Sequence, residues 1–252
     1  MNYELRIFRT LALLLVLITA VSCNGDNTPE CFRNAGNKTR YEVGVPEFNS
    51  LYVSAGVEVV LVQGITHSVV IETGENLREY ISANVVDGQL RLENSVSCNW
   101  VRDYNTTTIT VTTPNLEKIY TATQFTIRSM GTLSFPNLSI QSGIFSETAS
   151  GTLALDVNCD NLTIEDNQNL HSIITGYVDN LNVNFYAGDA RFDGTGLQAQ
   201  NVQVFHRSSN DIIVNAGQQV IGTLYSTGNL VLLNQPPVVN VEVRYTGRIV
   251  YE

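Results

Sequence analysis

The sequence predicts an all-β protein whose chain coils into stacked turns, a single-stranded right-handed β-helix or β-solenoid with about 20 residues per turn. Charged residues make up only 15% of the chain, and Asn, Thr, Ser and Gln supply most of its polar surface instead. Val, Ile, Thr and Tyr are abundant, and these residues favour strands. A strand motif led by an amide side chain also recurs at nearly constant spacing, which is typical of a solenoid. A β-sandwich is the alternative fold.

The N-terminal segment is predicted to be an export signal. Arg6 and Arg9 precede an apolar run at 11–20, and small residues then lead to Cys23. A basic start, a short apolar stretch and small residues at the cleavage site are typical of a secretory signal. The run is shorter than the ~20 apolar residues that a membrane-spanning helix needs. We therefore expect residues 1–22 to be a signal peptide.

Cys23 is the predicted site of lipid attachment. The residues at 20–23, Ala-Val-Ser-Cys, resemble a bacterial lipobox, with Ala20 in place of the more usual Leu. The resemblance implies that Cys23 is acylated, and each buried methylene contributes about 0.8 kcal/mol to membrane binding. We expect residues 23–40 to form the lipidated cysteine and a tether to the outer membrane, on its periplasmic or its outer side. Plain secretion with cleavage nearby is the alternative.

The remaining cysteines are Cys31, Cys98 and Cys159. Export implies an oxidising compartment, in which disulfides persist, and we predict a disulfide between Cys31 and Cys98. On the chain-entropy model, closing so long a loop contributes ~4 kcal/mol. Cys159 would then be a small buried apolar side chain. Because the cysteines and histidines do not have the spacing of a zinc site, we predict no metal and no cofactor.

Residues 41–112 read as a run of short strands. Apolar residues alternate with polar ones at 57–61 and again after Asp87-Gly88, and a period of two places one face of a strand inward. The Asp-Gly pair is a strong signal for a hairpin turn. Residues 74–81 are predicted to form one short helix.

Residues 113–252 contain the repeat, in which an amide residue leads a strand of the pattern apolar-x-apolar. The steps between the leading amides are 22, 24, 19, 21, 18 and 21 residues. The leading amides are Asn115, Asn137, Asn161, Asn180, Asn201, Gln219, which replaces Asn in one copy, and Asn240. Stacked Asn side chains can hydrogen-bond to one another along the solenoid axis, so a structural amide ladder is predicted.

Two interior ladders of aliphatic side chains are predicted from the same repeat. Stacked coils would align the apolar positions, and each buried aliphatic side chain would contribute roughly 1.5–3 kcal/mol before entropy is subtracted. The first ladder is Leu138, Leu162, Leu181 and Val202, and the second is Ile140, Ile164, Val183 and Val204. The residues between them, Ser139, Thr163, Asn182 and Gln203, should point outward.

Several motifs together resemble a known family, the putative auto-transporter adhesin, head-GIN domain of Bacteroidetes lipoproteins. The matching pieces are Cys31-Phe32, Pro46 and Phe48, residues 57–64, 74–77, 87–92 and 98–102, Pro114-Asn115-Leu116, and residues 245–249. The resemblance covers about 31–252. It implies a β-helical fold at the cell surface and no established activity. A single domain is thus expected over 41–252, with N-terminal strands at 41–112 and repeat coils at 113–252.

The sequence contains no convincing catalytic site. His67, His171 and His206 lie far apart and are interpreted as ordinary surface or turn residues. A nucleophile elbow, a phosphate-binding loop and a dinucleotide fingerprint are all absent from the sequence. A net charge of −10 also disfavours nucleic acid as a partner, because that partner requires a basic surface.

Binding residues are suggested at one place in the repeats. Asp189, Arg191 and Asp193 would share one face of a strand, and carboxylates beside a basic group suit a sugar. Tyr186 lies in the outward register and could stack on a sugar ring, as could Tyr177 and Tyr225 if exposed. Calcium at the acidic residues Asp156, Asp160, Glu165 and Asp166 is an alternative.

We therefore expect a non-catalytic cell-envelope lipoprotein whose flat face binds a glycan or a surface protein. The main alternative is a β-helical polysaccharide lyase or hydrolase, which would need clustered carboxylate and basic side chains in a groove. A third is an envelope-stress or scaffold component without a ligand of its own.

Overall fold

The structure is a computed structural model, and it describes residues 33–96, 98, 107–144 and 150–252. The predicted signal peptide, Cys23 and Cys31 lie outside the described residues. Lipid attachment and the pairing of Cys31 with Cys98 therefore stay predictions. The described residues contain no helix long and apolar enough to span a membrane.

The described part of the chain contains seventeen strands and one 3-10 helix, joined by turns and loops. The strands are β1 (Lys38–Val43), β2 (Ser50–Val53), β3 (Glu58–Gln63), β4 (Ser68–Gly74), β5 (Ile81–Val86), β6 (Gln89–Asn94), β7 (Thr108–Thr113), β8 (Lys118–Thr121), β9 (Thr126–Leu133), β10 (Asn137–Ser142), β11 (Thr152–Asp166), β12 (His171–Phe185), β13 (Arg191–His206), β14 (Ile212–Leu224), β15 (Leu230–Leu232), β16 (Val238–Val243) and β17 (Ile249–Tyr251). The 3-10 helix spans Glu75–Tyr80, inside the predicted helix, and buries Leu77.

Successive strands alternate between two faces of a solenoid. Face 1 contains, in spatial order, β5, β6, β2, β8, β10, the C-terminal halves of β11 to β14, and β16. Face 2 contains β1, β4, β7, β3, β9, the N-terminal halves of β11 to β14, then β15 and β17. The result is a nearly barrel-shaped β-solenoid of about 6 turns, which confirms the predicted fold class.

The core fills the space between the two faces. Leu138, Leu162, Leu181 and Val202 stand opposite one another in adjacent strands, and so do Ile140, Ile164, Val183 and Val204. All eight side chains are buried, while the residues between them point outward. Both predicted interior ladders are confirmed. A one-residue slip would turn every one of these side chains to the solvent, so the apolar pattern holds the register.

The N-terminal end of the solenoid is formed by antiparallel strands. β4 pairs with β7 and β1 pairs with β4 on face 2, whereas β5 pairs with β6 on face 1. The β5–β6 turn contains Asp87 and Gly88 with φ angles of 50° and 74°. Positive φ at both central residues is the geometry that the predicted Asp-Gly hairpin requires.

The coils near this end do not follow chain order. β2 lies between β6 and β8 on face 1, and β3 lies between β7 and β9 on face 2. The coil formed by β2 and β3 is thus enclosed on both sides by strands that come later in the chain. From β8 onward, each new coil stacks on the previous one.

Candidate binding face

An amide ladder follows the corner where the chain enters face 1. Asn161 Nδ2 donates to Asn137 Oδ1 at 2.7 Å, and Asn180 Nδ2 donates to Asn161 Oδ1 at 3.0 Å. Asn201 Nδ2 continues the ladder to Asn180 Oδ1 at 3.0 Å. These bonds run along the solenoid axis and join four consecutive coils.

The ladder is shorter than the repeat predicted. Asn240 stands opposite Ile221, whereas Val238 stands opposite Gln219, so the predicted place of Asn240 in the amide column is wrong by two residues. Asn115 precedes β8, and its buried Oδ1 has no hydrogen-bond partner in the described part of the chain.

One outward column of face 1 runs from the N-terminal coils to the repeats. Position for position it contains Arg91, Tyr52, Tyr120, Gln141, Glu165, Asn184 and Phe205. At its start the rings of Tyr52 and Tyr120 stack in parallel, with centroids 5.6 Å apart, and the Arg91 guanidinium lies 4.6 Å from the centroid of Tyr52. Tyr120 is buried, so its ring is not accessible to a ligand in this part of the column.

Three aromatic side chains lie together around Phe205 of this column, which continues beyond Phe205 to Thr223 and Glu242. We call Tyr186, Phe205 and Tyr225 the aromatic row. Ring centroids of Tyr186 and Phe205 are 5.6 Å apart, and those of Phe205 and Tyr225 are 5.0 Å apart, with tilts of 47° and 42°. Tyr225 is 41% exposed and the other two are half-buried, so the row presents a ring surface to the solvent.

Strand geometry accounts for the position of each ring. Val204 points into the core, so Phe205 must point outward from the same strand. Tyr186 and Tyr225 each follow the last residue of a face-1 strand, and their backbone N–H groups donate to the preceding coil, to Asp166 and to His206 respectively. The three rings therefore stack at the spacing of neighbouring coils.

Hydrogen bonds fix the orientation of the first ring. The Tyr186 hydroxyl donates to Glu165 Oε1 at 2.6 Å, and Gln141 Nε2 donates to Glu165 Oε2 at 2.6 Å. Burial, together with the Glu165 carboxylate, raises the pKa of Tyr186 to about 12. The phenol therefore stays neutral, and its ring is held in place beside Phe205 by a charge-assisted hydrogen bond.

The residues predicted around Asp189 are only partly brought together. Asp189 is exposed in the turn before β13, whereas Arg191 and Asp193 lie on the outer side of β13 in face 2. Arg191 Nη2 lies 4.0 Å from Asp193 Oδ2. Hydrogen bonds from the Thr195 hydroxyl and backbone N–H, at 2.6 and 3.1 Å, lower the pKa of Asp193. These bonds hold the Asp193 carboxylate in its ionised form on the outer side of β13, a state that does not suit a general acid.

Two ionisable side chains occupy interior positions. His206 is fully buried and packs edge-on against Phe185, so its interpretation as a surface or turn residue is wrong. Burial lowers the pKa of His206 to about 4. Asp166 is also fully buried, and burial raises its pKa. The described residues contain no group of three or more His, Cys, Asp or Glu side chains that could hold a metal ion.

Sequence reasoning missed Phe205, the central ring of the row. The signal was available, because the alternation that buries Val202 and Val204 leaves Phe205 on the outside. The contact among the three rings could not be read from the sequence, since it depends on which residues of adjacent coils stand side by side.

Comparison with known proteins gives one family. The family described as Putative auto-transporter adhesin, head GIN domain matches residues 47–236. No protein of curated function matches the sequence.

Solved structures share the fold. The crystal structure of a putative adhesin from Bacteroides fragilis is 18% identical and superposes with a TM-score of 0.76, covering 87% of this chain and 99% of its own. A putative adhesin from Parabacteroides distasonis is 13% identical, with a TM-score of 0.65 and coverage of 87% and 99%. A putative lipid binding protein from Parabacteroides distasonis is 16% identical, with a TM-score of 0.62 and coverage of 85% and 97%. At these identities the likeness shows the fold.

Proposed function

Because the chain belongs to the putative auto-transporter adhesin, head GIN domain family, we propose that it is a non-catalytic adhesive protein of the cell envelope that binds a glycan at the aromatic row. The family description supports a role in surface adhesion. The observation that carries the choice of ligand is the run of Tyr186, Phe205 and Tyr225 across consecutive coils, with a hydrogen-bonding carboxylate and amide beside it.

Such a surface matches the chemistry of a sugar. Ring faces pack against the apolar C–H faces of a pyranose, while carboxylate and amide groups hydrogen-bond its hydroxyls. Glu165 and Asn184 supply these polar groups in the same column as Phe205. The row follows the solenoid axis, so it suits several units of an extended chain.

Charge narrows the class of glycan. The protein carries a net charge of −10, and Glu165 lies directly beside the row. An acidic polysaccharide would be repelled by this field, whereas a neutral or basic one would not. Arg207, which is exposed at the end of β13 at the level of Tyr186 and Tyr225, would in turn repel a basic glycan, so a neutral glycan is the ligand that we propose.

The proposal is tested with single-ring variants on a glycan array, followed by calorimetric titration of the best neutral glycan. Phe205→Ala and Tyr225→Ala should each weaken binding by roughly 2- to 13-fold, because one stacked ring contributes about 0.5–1.5 kcal/mol. Tyr177→Ala is the matched control, since Tyr177 is a half-buried tyrosine on face 2 whose hydroxyl donates to Asp179. Unchanged affinity in both row variants would exclude the aromatic row, and cleavage of the glycan would exclude a non-catalytic role.

Membrane attachment through Cys23 is part of the same proposal and has its own test. The native chain should be labelled by a radioactive fatty acid in cells and should sediment with the outer membrane. Cys23→Ser should lose the label and appear in the soluble fraction. A labelled Cys23→Ser chain would contradict attachment at this residue.

A further inference from the structure

The two ends of the solenoid are built differently. At the N-terminal end the outermost strands, β1 and β5, run antiparallel to their neighbours, and within the described residues each of them also pairs on one side only. At the C-terminal end, within the described residues, β16 pairs with β14 alone and β17 pairs with β15 alone. The outer backbone edges of both last strands are therefore open for pairing.

The core is also exposed at the C-terminal end. Val239, Val241 and Val243 continue the interior columns of β14, where Val220 and Leu224 are fully buried. In the last coil, Val243 is 44% exposed, and Val239 and Val241 are only half-buried. Terminal coils of solenoids need a cover over such side chains, because each buried Å² of apolar surface contributes about 25 cal/mol.

The cover must fit both faces at once. β16 belongs to face 1 and β17 to face 2, so one extended peptide would pair with only one of the two open edges. A second copy of the C-terminal end presents its own β16 and β17 edges, and their separation equals that of the two edges in the first copy. Self-association through one surface patch is also the geometry of a two-fold dimer.

The charge of this end permits two copies to meet. Residues 238–252 contain two Glu (Glu242, Glu252) and two Arg (Arg244, Arg248), so their side chains sum to zero, whereas the chain carries −10. The acidic surface that would keep copies apart elsewhere is absent here. Glu242 and Arg244 already pair within one chain, with Nε and Oε1 2.7 Å apart.

We propose that two copies associate end to end through β16 and β17, by antiparallel pairing about a two-fold axis. In the register centred on Val241, this residue stands opposite its own copy, and Val239 stands opposite Val243 of the second molecule. All the inward-facing pairs of β16 are then valines, while Ile249 and Tyr251 hold the corresponding positions in β17, so the cores of the two solenoids join. The dimer presents two aromatic rows, one on each copy.

Cysteine cross-linking of the full-length chain in cells tests this arrangement. Directly opposed residues of an antiparallel pair have Cα atoms about 4.5–5.5 Å apart, which is within disulfide reach. Val241→Cys should therefore form a disulfide-linked dimer under mild oxidation. Val86→Cys is the matched control, because Val86 is a 53% exposed valine of β5 at the opposite end of the solenoid, outside the proposed interface, and should remain uncrosslinked.

A second substitution separates the interface from the fold. Val243→Lys, combined with Val241→Cys, should reduce the cross-linked dimer at least tenfold, because it places two like charges among the joined valines. Under reducing conditions and at a dilution at which both chains are monomeric, its thermal transition should match that of Val241→Cys alone, since Val243 is already part-exposed in the single chain. The absence of cross-linked Val241→Cys, equal cross-linking of Val86→Cys, or full cross-linking in the presence of Val243→Lys would each overturn the proposal.

Discussion

Acidification should destabilise the protein through His206. The side chain is fully buried at the corner where β13 ends, and burial lowers its pKa to about 4. An unfolded histidine has a pKa near 6.5. As the pH falls below 6.5, the unfolded chain therefore takes up a proton that the folded chain refuses, and stability that is fully present above that pH is lost.

The size of the effect follows from the two pKa values. A difference of one pKa unit corresponds to about 1.4 kcal/mol, so the full loss down to pH 4 is on the order of 3 kcal/mol. Between pH 7 and pH 5 the expected loss in the free energy of unfolding is about 2 kcal/mol. Asp166 acts in the opposite direction, because burial raises its pKa and protonation of the folded state relieves that cost.

Urea unfolding followed by circular dichroism at pH 7 and pH 5 measures the difference. His206→Leu is the matched variant, because Leu224 occupies the same interior column one coil later. The native protein should lose about 2 kcal/mol more than His206→Leu over this interval. Asp166 and the surface carboxylates are common to both chains, so their effects cancel. Equal losses in both chains would refute the assignment of the pH dependence to His206.

Three further substitutions or reagents test the packing. Gly222→Ala should lower the free energy of unfolding by about 2 kcal/mol or more. Gly222 has φ 146°, and a Cβ there would lie 2.0 Å from the Val204 carbonyl oxygen of the preceding coil. An unchanged midpoint of chemical unfolding would contradict this tight contact between coils. Leu162→Ala should cost about 2–5 kcal/mol by leaving a cavity in the first ladder, and a loss below 1 kcal/mol would argue against a dry interior. Burial raises the pKa of Cys159 to about 11, so mass spectrometry should find this thiol unmodified by maleimide in native protein and modified in urea.

The repeat coils could be predicted from sequence because two independent signals agree there. The period of two fixes which side chains point inward, and the amides at Asn137, Asn161, Asn180 and Asn201 fix which coil positions coincide. In the coil that contains Asn240 no amide marks the matching position, so only the alternation of inward and outward side chains was available as a signal. A shift of two residues leaves every side chain on its own face, so the alternation could not detect the error.

The interior ionisable residues show how residue type misled the interpretation. The alternation that places Ile164 and Val204 inside also places Asp166 and His206 inside, two residues later. Ionisable side chains are rarely buried, and this expectation outweighed the periodic pattern. The structure shows that the periodic pattern was the stronger signal.

The N-terminal coils could not be ordered from sequence for a different reason. β2, β6 and β8 are all short strands with alternating apolar residues, and parallel neighbours of this kind are interchangeable by pattern alone. Their order depends on non-local contacts. The aromatic row depends on the same kind of information, since its rings come from three different coils.

The enclosed position of β2 and β3 constrains how the chain can acquire its structure. These strands are synthesised before the neighbours that flank them, so both of their edges stay unpaired until β6 to β9 exist. Growth of the solenoid cannot start at the N-terminus and proceed one coil at a time. Nucleation must wait until about half of the polypeptide has emerged, and contacts between such distant segments form slowly. The later coils, which only stack on a finished template, can then be added in order.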